Sequence, residues 1–377
     1  MIDPYAEQIP RTDNPLFRSS NKLKIGVFGA NCSGGTTMST YPGLVEARWA
    51  ESVAIARAAE AAGLEAMVPI GRWRGMGGQT NFQYRSFETL TWAAGIAAAT
   101  ERIGVFATVH VPTIHPVRLA KTCATIDHIS GGRFGLNVVA GWNEKEIGMF
   151  ADNQLPHDER YDVASEWMEL TSKLWTADGE FDFAGTYFRA PGAVSDPKPI
   201  QRGGPLVMSA GNSPRGIQFA SQWCDLNFVA APSIEEAGAT ARSVKDQALA
   251  QFGKELSVFS QAYIICRDTD SEARDVYAAI AETHGDQEGA DNLLNAFVPN
   301  SGSADWNAMR PAIIAGWGSY PLVGSPATVA DGLIALSEHG LDGMVVSWPD
   351  YLTGIDQFDK LVMPYLEKAG VRSRDGS

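Results

Sequence analysis

Two polar side chains stand where an apolar interior is expected. The run RIGVFATVHV (102–111) carries Thr108 and His110 at its end, and FGLNVVAGWN (134–143) carries Asn137 among Phe134, Leu136, Val138 and Val139. A buried amide without partners costs about 1–3 kcal/mol, so Asn137 needs something to bond to. If the two runs are neighbouring strands, Thr108 and Asn137 place a hydroxyl and an amide in one cavity. The bland alternative is that water or nearby backbone satisfies both. His110 and His115 flank VPTI. A metal would need a third ligand, and neither HxH nor HExxH occurs, so no metal site is expected. His110 reads as a substrate contact, and His115, before Pro116, as the start of the next helix.

MSAGNSPRG (208–216) reads as a strand, a small-residue turn at Gly211 and a helix beginning near Ser213. Free N–H groups at such a helix start hold a phosphate, with a hydroxyl from Ser213 and a charge from Arg215; an ordinary Ser cap reads the same way. HDERYD (157–162) opens another helix, with Arg160 and Tyr161 facing either the strand ends or solvent. Glu146 is most simply a surface carboxylate, unless the segment after Trp142 folds over a ligand. There is no GxSxG elbow, no Walker loop and no cysteine with a local partner signature. Hydroxyl, amide and phosphate-holding turn without a protein nucleophile suggest that a cofactor does the hard step.

These residues need elements to position them. Apolar spacing predicts strands at 23–30, 65–70, 102–111, 133–139, 205–211, 225–230, 257–266 and 342–348. Amphipathic stretches at 43–63, 86–100, 116–130, 158–176, 213–223, 233–252, 270–284, 326–340 and 354–370 predict helices between and after them. About eight continuous apolar strands, each followed by a helix, are what a closed parallel (β/α)8 TIM barrel requires. An open doubly wound sheet is the runner-up, but the turn FGANCSGG is not its GxGxxG fingerprint. Segments 71–85, 141–157 and 285–322 do not fit the repeat. The first two directly follow strands, so in a barrel they wall the face that carries active sites. Residues 179–192 suggest a small hairpin. We expect one barrel domain over 23–370, an N-terminal extension over 1–22 and a tail over 371–377.

The 377-residue chain is 45% hydrophobic and 20% charged, an ordinary globular balance. Its net charge of −14 argues against a general nucleic-acid or anionic-membrane binder. The four cysteines, Cys32, Cys123, Cys224 and Cys266, are far apart and read as buried thiols of a reducing compartment. The opening residues have no apolar core of signal-peptide length, and no segment is apolar enough to span a bilayer. A soluble cytoplasmic protein is expected.

The stretches FATVHVPTIHPVRLAKTCATIDHISGGRFGLNVVAGWNEKE, HDERYDVASEWMELTSKLW and MSAGNSPRG resemble the bacterial luciferase-like flavin monooxygenases. The nearest branch holds pyrimidine monooxygenase, dimethylsulfone monooxygenase and riboflavin lyase. The resemblance spans about 23–370. It implies a (β/α)8 barrel, reduced FMN supplied by a separate NAD(P)H-dependent reductase, O2 as co-substrate and a homo-oligomer. It implies that Thr108 and Asn137 contact the oxygen, and that Asn137, Glu146, Arg160, Tyr161, Gly211 and Ser213 contact FMN. Gly71 and Arg72 fall at two further FMN contacts, where the family has a different pair. Departures concentrate in 31–42, 71–85 and 285–322, on the substrate side.

The match at Thr108 and Asn137 points to oxidative cleavage of a small, pyrimidine-like nitrogen heteroaromatic. Riboflavin lyase activity competes with it, since Trp73, Phe82 and Tyr84 offer aromatic faces for a second three-ring substrate, or else pack as a lid. A sulfone or haloaromatic monooxygenase, a deazaflavin-dependent dehydrogenase and a non-catalytic flavin-binding protein are the other readings.

Overall fold

The computed structural model describes residues 8–151, 154–230, 232–297 and 306–374. Eleven strands occur among them: β1 (Lys24–Phe28), β2 (Ala66–Val68), β3 (Gly104–His110), β4 (Phe134–Val139), β5 (Phe181–Ala184), β6 (Arg189–Ala193), β7 (Leu206–Ser209), β8 (Leu226–Phe228), β9 (Ser257–Cys266), β10 (Tyr320–Gly324) and β11 (Gly343–Ser347). Eight of them close in the order β1-β2-β3-β4-β7-β8-β9-β11, and β11 returns to β1 in parallel. This is the expected (β/α)8 barrel. β5 and β6 are the expected antiparallel hairpin.

Each barrel strand is apolar on both faces because both are covered. All seven residues of β3 are buried. One face packs on the surrounding helices through residues such as Ile25, Val27, Met67, Val105 and Leu136. The other fills the barrel with Val68, Phe106, Met208, Leu226, Phe259 and their neighbours. Phe106 explains the glycine beside it: Gly135 is its partner in β4, and a Cβ there would lie 2.3 Å from the Phe106 ring. Leu16, from the N-terminal segment, joins the same interior cluster.

Two differences from the sequence expectations have clear causes. The helix expected from residue 43 begins at Trp49, because Gly43 and Ala47 take positive φ and Val45 is buried with its carbonyl accepting from Gly34. Segment 285–322 holds helices Gln287–Phe297 and Trp306–Gly316 and then β10, which pairs with the far half of β9 outside the barrel. Pro321 within β10 hides it from a sequence reading, since proline is tolerated in strands only where no ladder donor is needed.

The end of the barrel away from the strand C-termini is closed by one buried carboxylate. Glu65 accepts from the Ile25 N–H at 2.7 Å and the Asn21 amide at 2.6 Å, and pairs with Arg372 at 3.0 Å. It thus joins the segment before β1, the start of β2 and the chain after the last helix. Glu65→Ala strands the buried Arg372 charge and should lower unfolding stability by roughly 3–5 kcal/mol. A urea titration with an unchanged midpoint would remove Glu65 from this role.

Candidate functional site

At the C-terminal ends of the strands lies a cavity of about 390 Å³. Its floor carries the two polar residues that interrupt the apolar runs. Thr108 and Asn137 are direct partners in the β3–β4 register, so their side chains share the barrel-facing side. The Thr108 hydroxyl donates to the Pro69 carbonyl, and Asn137 Nδ2 donates to Thr108 Oγ1 at 3.1 Å. Because Oγ1 has given its proton to a carbonyl, it can only accept here, which fixes the Asn137 amide with its nitrogen toward Thr108. Asn137 Oδ1 is then buried without a partner. The Thr108 carbonyl accepts from Thr89 Oγ1 at 2.7 Å, so β3 is held from the helix side as well.

The loop after β2 forms one wall. Asn31 clamps it through two 2.8 Å hydrogen bonds to the backbone of Ile70. Gly71 follows, pressed so closely on β3 that a Cβ would lie 3.1 Å from both the His110 ring and the Thr108 carbonyl oxygen. His110 lines this cavity and a second one of about 150 Å³ behind Gly71. Its Nδ1 has no partner, and burial pulls the imidazole down to about 4, opposed by Glu146 and aided by Arg72. The ring is therefore neutral at physiological pH.

Arg72 ties the rim together. Its Nε donates to Gln83 at 2.8 Å and its Nη1 to Glu146 at 3.0 Å, while its carbonyl accepts from Ser86 at 2.9 Å. The guanidinium lies 5.3 Å from the Trp142 ring centroid and 5.5 Å from that of Trp317. The other Glu146 oxygen accepts from the N–H groups of Trp73 and Arg74. All three insertions thus meet at one buried guanidinium.

Opposite, the turn at Gly211 leads into helix Pro214–Trp223, which Ser213 caps by accepting from Gly216 at 3.1 Å. Gly211 and Gly216 touch: a Cβ on Gly211 would lie 2.6 Å from the Gly216 Cα and 2.9 Å from the Tyr161 hydroxyl. Tyr161 reaches this turn from helix His157–Thr176, while Arg160 of the same helix donates to the Gly141 carbonyl. Burial pushes the Tyr161 hydroxyl up, and a hydrogen bond with Ser213 partly offsets that, so the phenol keeps its proton.

Of the residues singled out in the sequence, Thr108, His110, Asn137, Gly71, Arg72, Arg160, Tyr161, Gly211 and Ser213 line the cavity. Glu146 is not the surface carboxylate first expected. It is 1% exposed and sits behind Arg72, off the cavity wall. Trp73, Phe82 and Tyr84 do not line this cavity; Trp73 lines the smaller one behind Gly71. Phe82 is packed among Met38, Met76 and Leu293 beneath the rim. Trp73 stands 40% exposed in an edge-type contact with Phe150, and Tyr84 is 65% exposed. Arg215 pairs with Asp162 and Gln218 rather than facing the turn. His115 caps the helix that Pro116 opens.

Trp317 is one of several cavity residues that the sequence reading missed, with Phe28, Asn212, Phe228 and Gln261. It follows helix Trp306–Gly316 with φ of 53°, the left-handed position usually given to glycine. A non-glycine residue there costs roughly 1–2 kcal/mol. The signal was present in Gly316-Trp317-Gly318, where a bulky residue holds the position that either neighbouring glycine would occupy without strain.

Among the described residues no group of His, Cys, Asp and Glu could hold a metal, and no helix is long and apolar enough to cross a membrane. All four cysteines are buried and free, and burial pushes the Cys32 thiol, nearest the site, up to about 12.

A parallel barrel whose strand-end cavity pairs a hydroxyl–amide floor with a helix-start turn belongs to the class in which a bound cofactor works against fixed protein donors. The family model of the luciferase-like monooxygenases matches residues 23–343, and the chain belongs to that family of flavin-dependent enzymes. It is 30% identical over 369 residues to pyrimidine monooxygenase RutA of Bradyrhizobium sp. (strain BTAi1), covering 93% of this chain and 99% of that one. Its fold is that of riboflavin lyase (RcaE), solved with modified FMN and the substrate riboflavin, at a TM-score of 0.82, 22% identity and 93% coverage of each chain. DmoA from Hyphomicrobium sulfonivorans superimposes at a TM-score of 0.79, with 24% identity and coverage of 92% of this chain and 88% of that one.

His110 supplies a test of the site's burial. Its folded value of about 4 lies below the ordinary 6.5, so the folded state binds fewer protons. Its contribution is fully present above pH 6.5 and is lost as pH falls toward 4. Relative to His110→Gln, the natural protein should lose roughly 3 kcal/mol of unfolding stability across that window. Parallel stability curves for the two proteins would show that His110 is not held neutral.

Proposed function

We propose that the chain uses reduced FMN, delivered by a separate NAD(P)H-dependent flavin reductase, and O2 to cleave a small pyrimidine-like nitrogen heteroaromatic oxidatively. The observation that carries this reading is the in-register Thr108–Asn137 pair on the cavity floor, with Asn137 Oδ1 left unmatched. The 30% identity to a pyrimidine monooxygenase supports it.

The residues fit FMN. The close Gly211–Gly216 approach opens the helix start to a phosphate, where Ser213, Arg160 and the protonated Tyr161 add donors. Gly71, with no side chain, leaves a flat wall for a ring system. Bound there, reduced FMN supplies the two electrons that reduce one oxygen atom of O2 to water while the other enters the substrate.

The protein's part is orientation and charge. The Thr108 proton is committed to Pro69, so the donor available to a reacting oxygen is the second N–H of Asn137. Held by Thr108, that N–H needs no reorganisation as negative charge grows. Neutral His110 adds a polar group without adding charge. The rim held by Arg72 covers this floor and limits water.

Riboflavin as a substrate asks for a second three-ring space. The aromatic residues read as lining it do not gather at the main cavity: Phe82 is packed beneath the rim, Tyr84 is exposed, and Trp73 lines only the smaller cavity behind Gly71. This favours a single-ring substrate.

The test supplies reduced FMN continuously in air with uracil and riboflavin together, and follows both by mass spectrometry. The expected outcome is loss of uracil with an oxygen-containing ring-opened product. Asn137→Ala should lower that turnover on the order of a hundredfold while leaving FMN affinity within a few-fold. Lumichrome formation would move the substrate to riboflavin, and consumption of neither compound would overturn the pyrimidine-like assignment.

A further inference from the structure

The proposed reaction leaves the smaller cavity unused. It measures about 150 Å³ and lies between the starts of helices Thr89–Ala99 and Pro116–Ser130. Its outer end carries the exposed Glu88, Thr91 and Arg118. Its inner end is the terminus of β3, where Thr108 and His110 line both this cavity and the main one. The partition is Gly71 with the two side chains it touches. A Cβ on Gly71 would lie 3.1 Å from the Thr108 methyl and 3.1 Å from His110 Cε1.

The polar groups of this side cavity are already matched. The hydroxyls of Thr89, Thr113 and Thr122 each donate to a backbone carbonyl. The Glu88 carboxylate accepts from the N–H groups of Leu90 and Thr91. Such a lining asks little of its contents: a buried water needs roughly two to four polar partners, whereas a small neutral molecule needs none. Nor is the partition locked. His110 Nδ1 has no partner and the ring is neutral, so neither a hydrogen bond there nor an ion pair opposes its turning.

We infer that the side cavity is the entry path by which O2 reaches the floor of the site, with His110 as its inner gate. The inference rests on the reading of the reaction as dependent on FMN and O2. A flavin filling the main cavity covers the floor from the mouth, and the rim held by Arg72 closes over the same side. O2 must still reach the Asn137 N–H beside Thr108. The side cavity arrives at Thr108 from between the helices, past Val109 and Leu90, and so bypasses the mouth.

Two measurements test the path. The first is stopped-flow reoxidation of the FMN-loaded, chemically reduced protein over a series of O2 concentrations, with no substrate present. Thr91→Trp and Thr122→Phe narrow the outer end, away from the main cavity. Each should lower the bimolecular rate constant for O2 several-fold and leave FMN affinity unchanged. The second is diffraction from crystals of the natural protein under xenon pressure, with xenon as a small neutral probe. Xenon should occupy the side cavity. A rate constant unchanged in both variants, or a side cavity without xenon, overturns the path. Failure to bind FMN in a preceding titration overturns the cofactor reading and the path with it. Consumption of neither uracil nor riboflavin overturns only the substrate reading, because reoxidation is followed without either.

Discussion

A guanidinium buried against two indoles and a carboxylate organises the working face of this barrel. Arg72 is contributed by the loop after β2, Glu146 and Trp142 by the segment after β4, and Trp317 by the segment before β10. Removing a charge from water is expensive, and the pairing offsets that only with good geometry and further hydrogen bonds. Gln83 supplies one of those bonds, and Glu146 in turn gathers the N–H groups of Trp73 and Arg74. The rim is therefore a connected polar structure resting on an apolar barrel.

Beneath it the proposed chemistry depends on a short chain of hydrogen bonds. Pro69 accepts from Thr108, Thr108 from Asn137, and the directions are set because each proton can be given only once. The loop carrying Pro69 is pinned by Asn31 through Ile70. The Asn137 amide, the proposed donor to the reacting oxygen, is thus oriented through Thr108 by the backbone that follows β2. Fixed donors of this sort work because nothing has to move when charge develops.

The floor and the rim have different physical duties. Strands determine the position of Thr108 and Asn137 to within the tolerance of a sheet register, which suits donors that must be aimed. Loops carry the rim, whose groups are placed by packing between insertions and not by a sheet register. The side cavity behind His110 and Gly71 lies at the junction of the two.

Alternation of apolar residues at strand and helix periods was enough to mark the eight barrel strands, the hairpin and the floor pair, because those features are local or follow from pairing neighbouring strands. The Ser213 helix start was legible for the same reason. What tertiary structure decided was the fate of residues whose partners are far along the chain. Glu146 reads as a surface carboxylate until Arg72, 74 residues away, is seen to bury it. Phe82 and Tyr84 are neighbours in an aromatic loop, and only the packing of the insertions sends one inward beneath the rim and leaves the other in solvent. Trp317 gains its meaning from a backbone angle and from Phe28 across the barrel mouth. Periodicity carries no information about such contacts, since burial of a charge or a ring in a loop depends on what the rest of the chain brings to it.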